Sequence, residues 1–141
     1  MGIYNPLPGL GICTATALLL VACSTSTQKE SDRDVLRGAE LSEMISSGQA
    51  PAVIDVRSGY EYSKGHVPEA IHLPFWKAFT HADKLDLPHE QPVVVYCEHG
   101  PRAGIARLAL KINGFENILY LEGHMNGWRK AGLPVQRGDG S

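Results

Sequence analysis

The chain has 141 residues, 43% of them hydrophobic, and 13 Lys and Arg against 15 Asp and Glu leave a formal net charge of −2. That length suits one ordinary globular domain with a real core, not a string of domains. The near-neutral balance, with no basic block and no internal repeat, excludes a nucleic-acid binder as the natural reading.

The N-terminal stretch from Gly9 to Ala22 is apolar or small throughout and ends Leu18-Leu19-Leu20-Val21-Ala22-Cys23. A membrane span needs about 20 apolar residues, so this run is short for one and fits the apolar region of a signal peptide. Leu20, three before Cys23, and the small Ala22 resemble the cleavage box of bacterial lipoproteins. The resemblance implies a signal peptide over residues 1–22, cleavage before Cys23 and lipid on that thiol. Ser24 after the cysteine resembles the outer-membrane sorting preference, so the expected location is the periplasmic side, anchored to the outer membrane. Residues 23–34 then form the lipidated cysteine and a polar tether (Ser24 to Ser31 carries no core-forming residue). With Cys13 removed and Cys23 lipidated, Cys97 is the one free thiol, which excludes an internal disulfide framework.

From Val35 to Arg137 the pattern is that of one folded domain. Glu40–Ile45 reads as a short helix ended by Gly48, and Val53–Val56 as a strand that is apolar except for Asp55. Tyr60–Lys64 reads as a small helix stopped by Gly65, and Ala70–Leu73 as a strand stopped by Pro74. Phe75–Leu85 fits helix or loop. Val93–Tyr96 is a β-branched run suited to the centre of a sheet. Arg102–Ile112 has helical periodicity with Asn113-Gly114 as its stop. Ile118–Leu121 reads as a further strand, and Met125–Ala131 as a last helix ended by Gly132. Short strands apolar on both faces, separated by helices, imply an α/β fold with a parallel sheet covered on both sides.

Cys97 follows the central strand and opens the loop Cys97-Glu98-His99-Gly100-Pro101-Arg102 before a helix. In an open parallel sheet the site forms at the carboxyl ends of the strands. Gly100 permits the turn, and the amides of Glu98 to Ala103 are expected to face the sulfur. The helix N-terminus and Arg102 add positive potential, and together these favour thiolate over thiol. The same cradle suits a bound anion or a persulfide. Cysteine phosphatases space cysteine and arginine as C-x5-R, whereas C-x4-R here makes a tighter ring suited to one sulfur atom.

Cys97-Glu98-His99-Gly100-Pro101-Arg102-Ala103 resembles the active-site loop C-x-x-G-x-R-[SA] of single-domain rhodaneses. Asp55-Val56-Arg57 with Glu61-Tyr62 and Gly65-His66-Val67-Pro68 resembles the family's D-V-R…E-[YF]…G-H-[IV]-P-G-A signature. Leu121-Glu122-Gly123-His124 with Gly127-Trp128 and Ala131-Gly132-Leu133-Pro134-Val135 resembles its closing L-x-G-G…W…A-G-[LY]-P-V element. The likeness runs from about Val35 to Val135, with Glu69 and His124 standing where the family has glycine. It implies a rhodanese-like domain over 35–137, built on a five-stranded parallel sheet with helices on both faces.

The resemblance also implies a sulfurtransferase that moves a sulfane sulfur from thiosulfate or a similar small anion to cyanide or a thiol. Cys97 is the catalytic nucleophile, carrying the sulfur as a persulfide, and no metal or organic cofactor takes part. Arg102, Glu98, His99, Gly100, Pro101 and Ala103 form the expected substrate-binding loop. Arg102 either forks onto a sulfonate group or fixes the loop by a salt bridge. Glu98 places a negative charge beside the cysteine, and His99 is expected to point outward over the pocket, with His124 at its rim. Asp55, Arg57 and Glu61 read as a structural ion-pair and capping network, and His66 as a backbone partner in the following turn. The alternative is a non-catalytic sulfur-carrier or protein-binding module on the same fold, with a protein as sulfur acceptor.

Overall fold

The computed structural model describes residues 34–138, so the leader, Cys23 and most of the expected tether lie outside the described residues. In chain order the elements are β1 (Val35–Leu36), α1 (Gly38–Ser46), β2 (Ala52–Asp55), α2 (Gly59–Lys64) and β3 (Ile71–His72). After them come α3 (Ala78–His81) between two 3₁₀ turns, β4 (Val93–Tyr96), α4 (Pro101–Ile112), β5 (Ile118–Leu121) and α5 (His124–Lys130). The ambiguous Phe75–Leu85 stretch is three short pieces, Phe75–Lys77, Ala78–His81 and Ala82–Leu85, not one helix.

The five strands lie in the order β1-β5-β4-β2-β3, and every pairing is parallel. β4 is therefore the middle strand. Its four residues are fully buried because both faces of the sheet are covered. Side chains alternate between two cores, as the two-residue strand period requires. Ile54, Val93, Val95 and Cys97 pack with Ala103, Ala106, Ala109 and Leu110 of α4, with Ala78 of α3 and with Ala82 of the 3₁₀ turn after it. Val53, Val94 and Tyr96 pack with Leu41 of α1, Tyr62 of α2 and Met125 and Trp128 of α5 on the other face. The small residues of α4 let that helix lie close over the sheet, which brings its first turn to the end of β4.

The two departures from glycine keep the glycine backbone. Glu69 has φ +64° and His124 has φ +53°, both in the left-handed region. A side chain there crowds the following carbonyl at a cost of roughly 1–2 kcal/mol. Glu69 is exposed, and its amide donates to Gln136 Oε1 at 3.1 Å, a contact that needs no side chain at position 69. Glu69→Gly is therefore expected to stabilise the domain by about 0.5–1 kcal/mol, while Glu69→Ala gains nothing. Urea midpoints at unchanged m-value measure both; an equal gain in the two variants would show that φ strain is not the cause.

Candidate active site

The sequence turns from β4 into α4 through Cys97–Gly100, and Gly100 takes φ +129°, a conformation closed to other residues. That turn points the Gly100 amide back at the Cys97 sulfur, with N–H to Sγ at 3.0 Å. Pro101 then starts α4 at a position where no amide donor is needed. Cys97 is only 1% exposed, so the thiol sits at the floor of the loop.

The loop is braced from below by the start of α5. The Met125 amide donates to the Cys97 carbonyl at 3.0 Å, and the Asn126 amide to the Glu98 carbonyl at 3.3 Å. The Cys97 amide itself donates to His124 Nδ1 at 3.5 Å. His124 packs over Gly100: a Cβ built on that glycine would lie 3.3 Å from His124 Nε2. His99 stands exposed beside this pair.

Two ion-pair systems hold the loop from the sides. In the first, Arg57 and Asp55 are both fully buried. Arg57 Nη2 donates to Asp55 Oδ2 at 2.7 Å and to the Gly65 carbonyl at 2.7 Å, and Nε donates to Asp55 Oδ1 at 3.0 Å. Tyr96 Oη donates to Asp55 Oδ2 at 2.6 Å and accepts from the Val67 amide at 3.0 Å. Burial and the neighbouring Asp55 push the Tyr96 hydroxyl far above its ordinary value, so it stays a donor. The remaining arm of Arg57, Nη1, reaches Glu98 Oε2 at 3.2 Å, and Arg129 grips the same carboxylate at 2.5 and 3.1 Å. Burial opposes the Glu98 charge, yet Arg129 and then Arg57 hold its carboxyl below the usual range. Glu98 is thus not the free negative charge beside the sulfur that the sequence suggested: two guanidinium groups neutralise it.

In the second system Arg102 forks onto Glu61, with Nη1 to Oε2 at 2.7 Å and Nη2 to Oε1 at 2.8 Å. Glu61 also closes a capping box at the start of α2, accepting from the Ser58 amide at 3.0 Å and hydroxyl at 2.7 Å. Of the two roles open to Arg102 in the sequence, the structure has it in the salt bridge. Ala103, in the first turn of α4, faces the core, and Pro101 is exposed at the helix start. His66 Nδ1 bonds the Tyr62 carbonyl at 2.8 Å, with its ring stacked on Tyr62 at 3.7 Å between centroids. His72 Nε2 likewise meets the Arg57 carbonyl at 3.0 Å. Arg129, which sequence reasoning missed, belongs to the site only because α5 folds back under the loop, and nothing in the spacing announces that.

The Arg102 hydrogen bonds hold the Glu61 carboxyl far below the usual range against the opposing effect of burial, and Ser58 adds to this. A depressed carboxyl stabilises the fold fully above its unfolded value of about 4.3, and that stability is lost as the pH falls below it. Glu61→Gln is expected to cost about 1–2 kcal/mol at neutral pH. Urea midpoints of wild type and variant should converge as the pH drops below about 4. A gap that stays constant with pH would assign the loss to packing and not to charge.

This architecture has known relatives. The family model of the rhodanese-like domain matches residues 38–131. The thiosulfate sulfurtransferase GlpE of Actinobacillus pleuropneumoniae is 30% identical over 88 residues, which cover 62% of this chain and 80% of that protein. The adenylyltransferase and sulfurtransferase uba4 of Ogataea parapolymorpha is 35% identical over 88 residues, but the chain spans only 22% of its length. The crystal structure of a rhodanese-related protein from Thermoplasma volcanium superposes with a TM-score of 0.63 at 29% identity, covering 74% of this chain and 98% of that one. A five-stranded parallel sheet, a cysteine loop at the end of its middle strand and a family match over most of the described residues together place the chain in the rhodanese-like domain family.

Proposed function

We propose that the protein is a sulfurtransferase that carries sulfane sulfur on Cys97. The observation that carries this reading is the Gly100 amide aimed at Cys97 Sγ at 3.0 Å, in a loop clamped on both sides. A fixed N–H at the sulfur stabilises negative charge there without reorganisation, which is what a thiolate and then a persulfide demand. The sulfurtransferase relatives support the same chemistry.

In the first half-reaction the Cys97 thiolate attacks the outer sulfur of thiosulfate. A sulfur–sulfur bond forms to Cys97, the sulfur–sulfur bond of thiosulfate breaks, and sulfite leaves with its electron pair. In the second, cyanide or a thiolate attacks the outer persulfide sulfur and releases Cys97 as thiolate, so the cycle is ping-pong. The sulfur passes as a neutral atom from donor to acceptor, so no outside oxidant or reductant enters the cycle. A second reading, a sulfur-carrier module serving a protein acceptor, is favoured by the commitment of Arg102 to Glu61, which removes the expected fork for a donor sulfonate.

Incubation of the protein with thiosulfate is expected to add the mass of one sulfur atom, and cyanide to remove it with turnover. Cys97→Ala is expected to lose both completely while keeping its fold by circular dichroism. Mass gain without turnover would favour the carrier, and turnover surviving in Cys97→Ala would overturn both readings.

The export and anchoring read from Leu20-Val21-Ala22-Cys23 belong to the same proposal: the domain works on a membrane surface, held by lipid on Cys23. Cells fed labelled palmitate are expected to label the wild type and not Cys23→Ala. Equal labelling of the two would remove the anchor.

A further inference from the structure

The guanidinium groups gathered around Cys97 are all engaged. Arg57 is spent on Asp55, the Gly65 carbonyl and Glu98. Arg129 is spent on Glu98, and Arg102 on Glu61. An anionic sulfur donor arriving at this loop therefore meets few free cationic forks among the described residues. What the loop does present is a pair of imidazoles, His99 on the exposed crest and His124 against Gly100.

His124 is the less expected of the two. Its backbone stands at φ +53°, where a side chain is strained. Residues held in such conformations concentrate at functional sites, where the surroundings fix them. Its orientation is set by the Cys97 amide, which donates to Nδ1. A neutral imidazole that accepts at Nδ1 carries its proton on Nε2, and Nε2 is the atom lying over Gly100. The ring thus offers an N–H donor beside Gly100, the residue whose amide meets the sulfur. Tyr120 of β5 meets it edge-on at 6.1 Å between centroids.

We propose that His124, with His99 beside it, recognises the anionic oxygens of the sulfur donor, the task that the sequence assigned to Arg102. The choice of thiosulfate as the probe rests on the sulfur-transfer reading. Burial, and then the nearby His99, hold His124 below the ordinary imidazole value of about 6.5. The other titratable groups around it are Cys97 and Glu98 on the loop, Glu122 in the preceding turn and Arg129 on its own helix, the last already paired with Glu98. Nδ1 accepts from the Cys97 amide, so the ring binds the anion as the neutral Nε2–H tautomer; a proton on Nδ1 would set two N–H groups against each other and release the ring from the loop. Affinity for the donor then holds above the histidine range and weakens as the pH falls through it.

The test uses the full chain with Cys97→Ser, which binds without turnover, titrated with thiosulfate at a series of pH values. The His124 ring resonances, identified by their absence in His124→Gly, report binding. The expected result is a Kd that weakens as the pH falls. His124→Gly should weaken binding near neutral pH about tenfold or more and flatten the pH dependence. That variant gains from glycine at φ +53° but loses the acceptor of the Cys97 amide, so its urea midpoint is measured alongside and binding is compared where both proteins are folded. His124→Asn, which tolerates this backbone and keeps an N–H donor, should hold part of the affinity but none of the pH dependence. His99→Ala should show a smaller effect of the same sign.

A Kd that is independent of pH, or unchanged in His124→Gly, overturns the proposal, as does a failure of thiosulfate to bind at all. Intact mass of the unsubstituted protein after thiosulfate separates the two readings. Binding that needs His124 without persulfide on Cys97 overturns the sulfurtransferase and leaves the anion site. Persulfide formation with binding indifferent to His124 does the reverse.

Discussion

The buried charge of Arg57 is the constraint around which the carboxyl end of the sheet is arranged. A guanidinium removed from water costs several kcal/mol unless its donors are met, and losing one partner of such a pair costs about 3–5 kcal/mol. Arg57 meets that demand from three parts of the chain: Asp55 at the end of β2, the Gly65 carbonyl at the end of α2, and Glu98 on the cysteine loop. The pair is weak as a net source of stability, since an apolar replacement would avoid the desolvation. Its effect is on arrangement. An alternative packing that moved the loop away from β2 would strand one arm of a buried cation.

The loop inherits its stiffness from this. Glu98 is gripped by Arg57 from inside the sheet and by Arg129 from α5, while Arg102 is fixed to Glu61 at the start of α2. With the amides of Met125 and Asn126 bonding its carbonyls from below, the segment Cys97–Arg102 has little freedom left. Preorganisation of this kind lets a single N–H at the sulfur act strongly on negative charge placed there, because no reordering of the loop has to accompany it. The same pairing empties the site of most of its apparent positive charge. Counting Arg57, Arg102 and Arg129 as free cations would describe an anion trap. Counted with Asp55, Glu61 and Glu98 they are close to neutral, and the backbone and imidazoles are what remain to meet an anion.

The apolar run Val93–Tyr96 disclosed the middle strand, because only a strand covered on both faces is apolar at four successive positions, and the structure buries all four. The helical period of Arg102–Ile112 disclosed α4, and the cysteine between the two marked the candidate site. β1 escaped a residue-level reading: two residues carry no period, and Val35–Leu36 is a strand only because Tyr120 and Leu121 lie beside it. The five strands implied by the family likeness needed that partner. The charge pairings escaped for the same reason. Arg129 and Glu98 lie 31 residues apart, and Arg102 and Glu61 lie 41 apart. A sequence names the charges but not which of them the topology brings together.

Glu69 and His124 sharpen the point about what backbone and side chain each determine. Both occupy positions where glycine would be free of strain, and the fold imposes the left-handed turn on both regardless. At Gly123, the residue before His124, a Cβ would lie 3.0 Å from the Gly127 Cα, so strand β5 must turn abruptly into α5 for that helix to pass under the loop. The turn at 124 is then a consequence of bracing Cys97, and any residue there inherits it. The difference lies in what the side chain meets. Glu69 extends from an exposed turn, whereas the His124 ring is fixed between the Cys97 amide and Gly100. Strain at an exposed turn has only local consequences. Strain that places an imidazole against the sulfur loop changes which ligand that loop can hold.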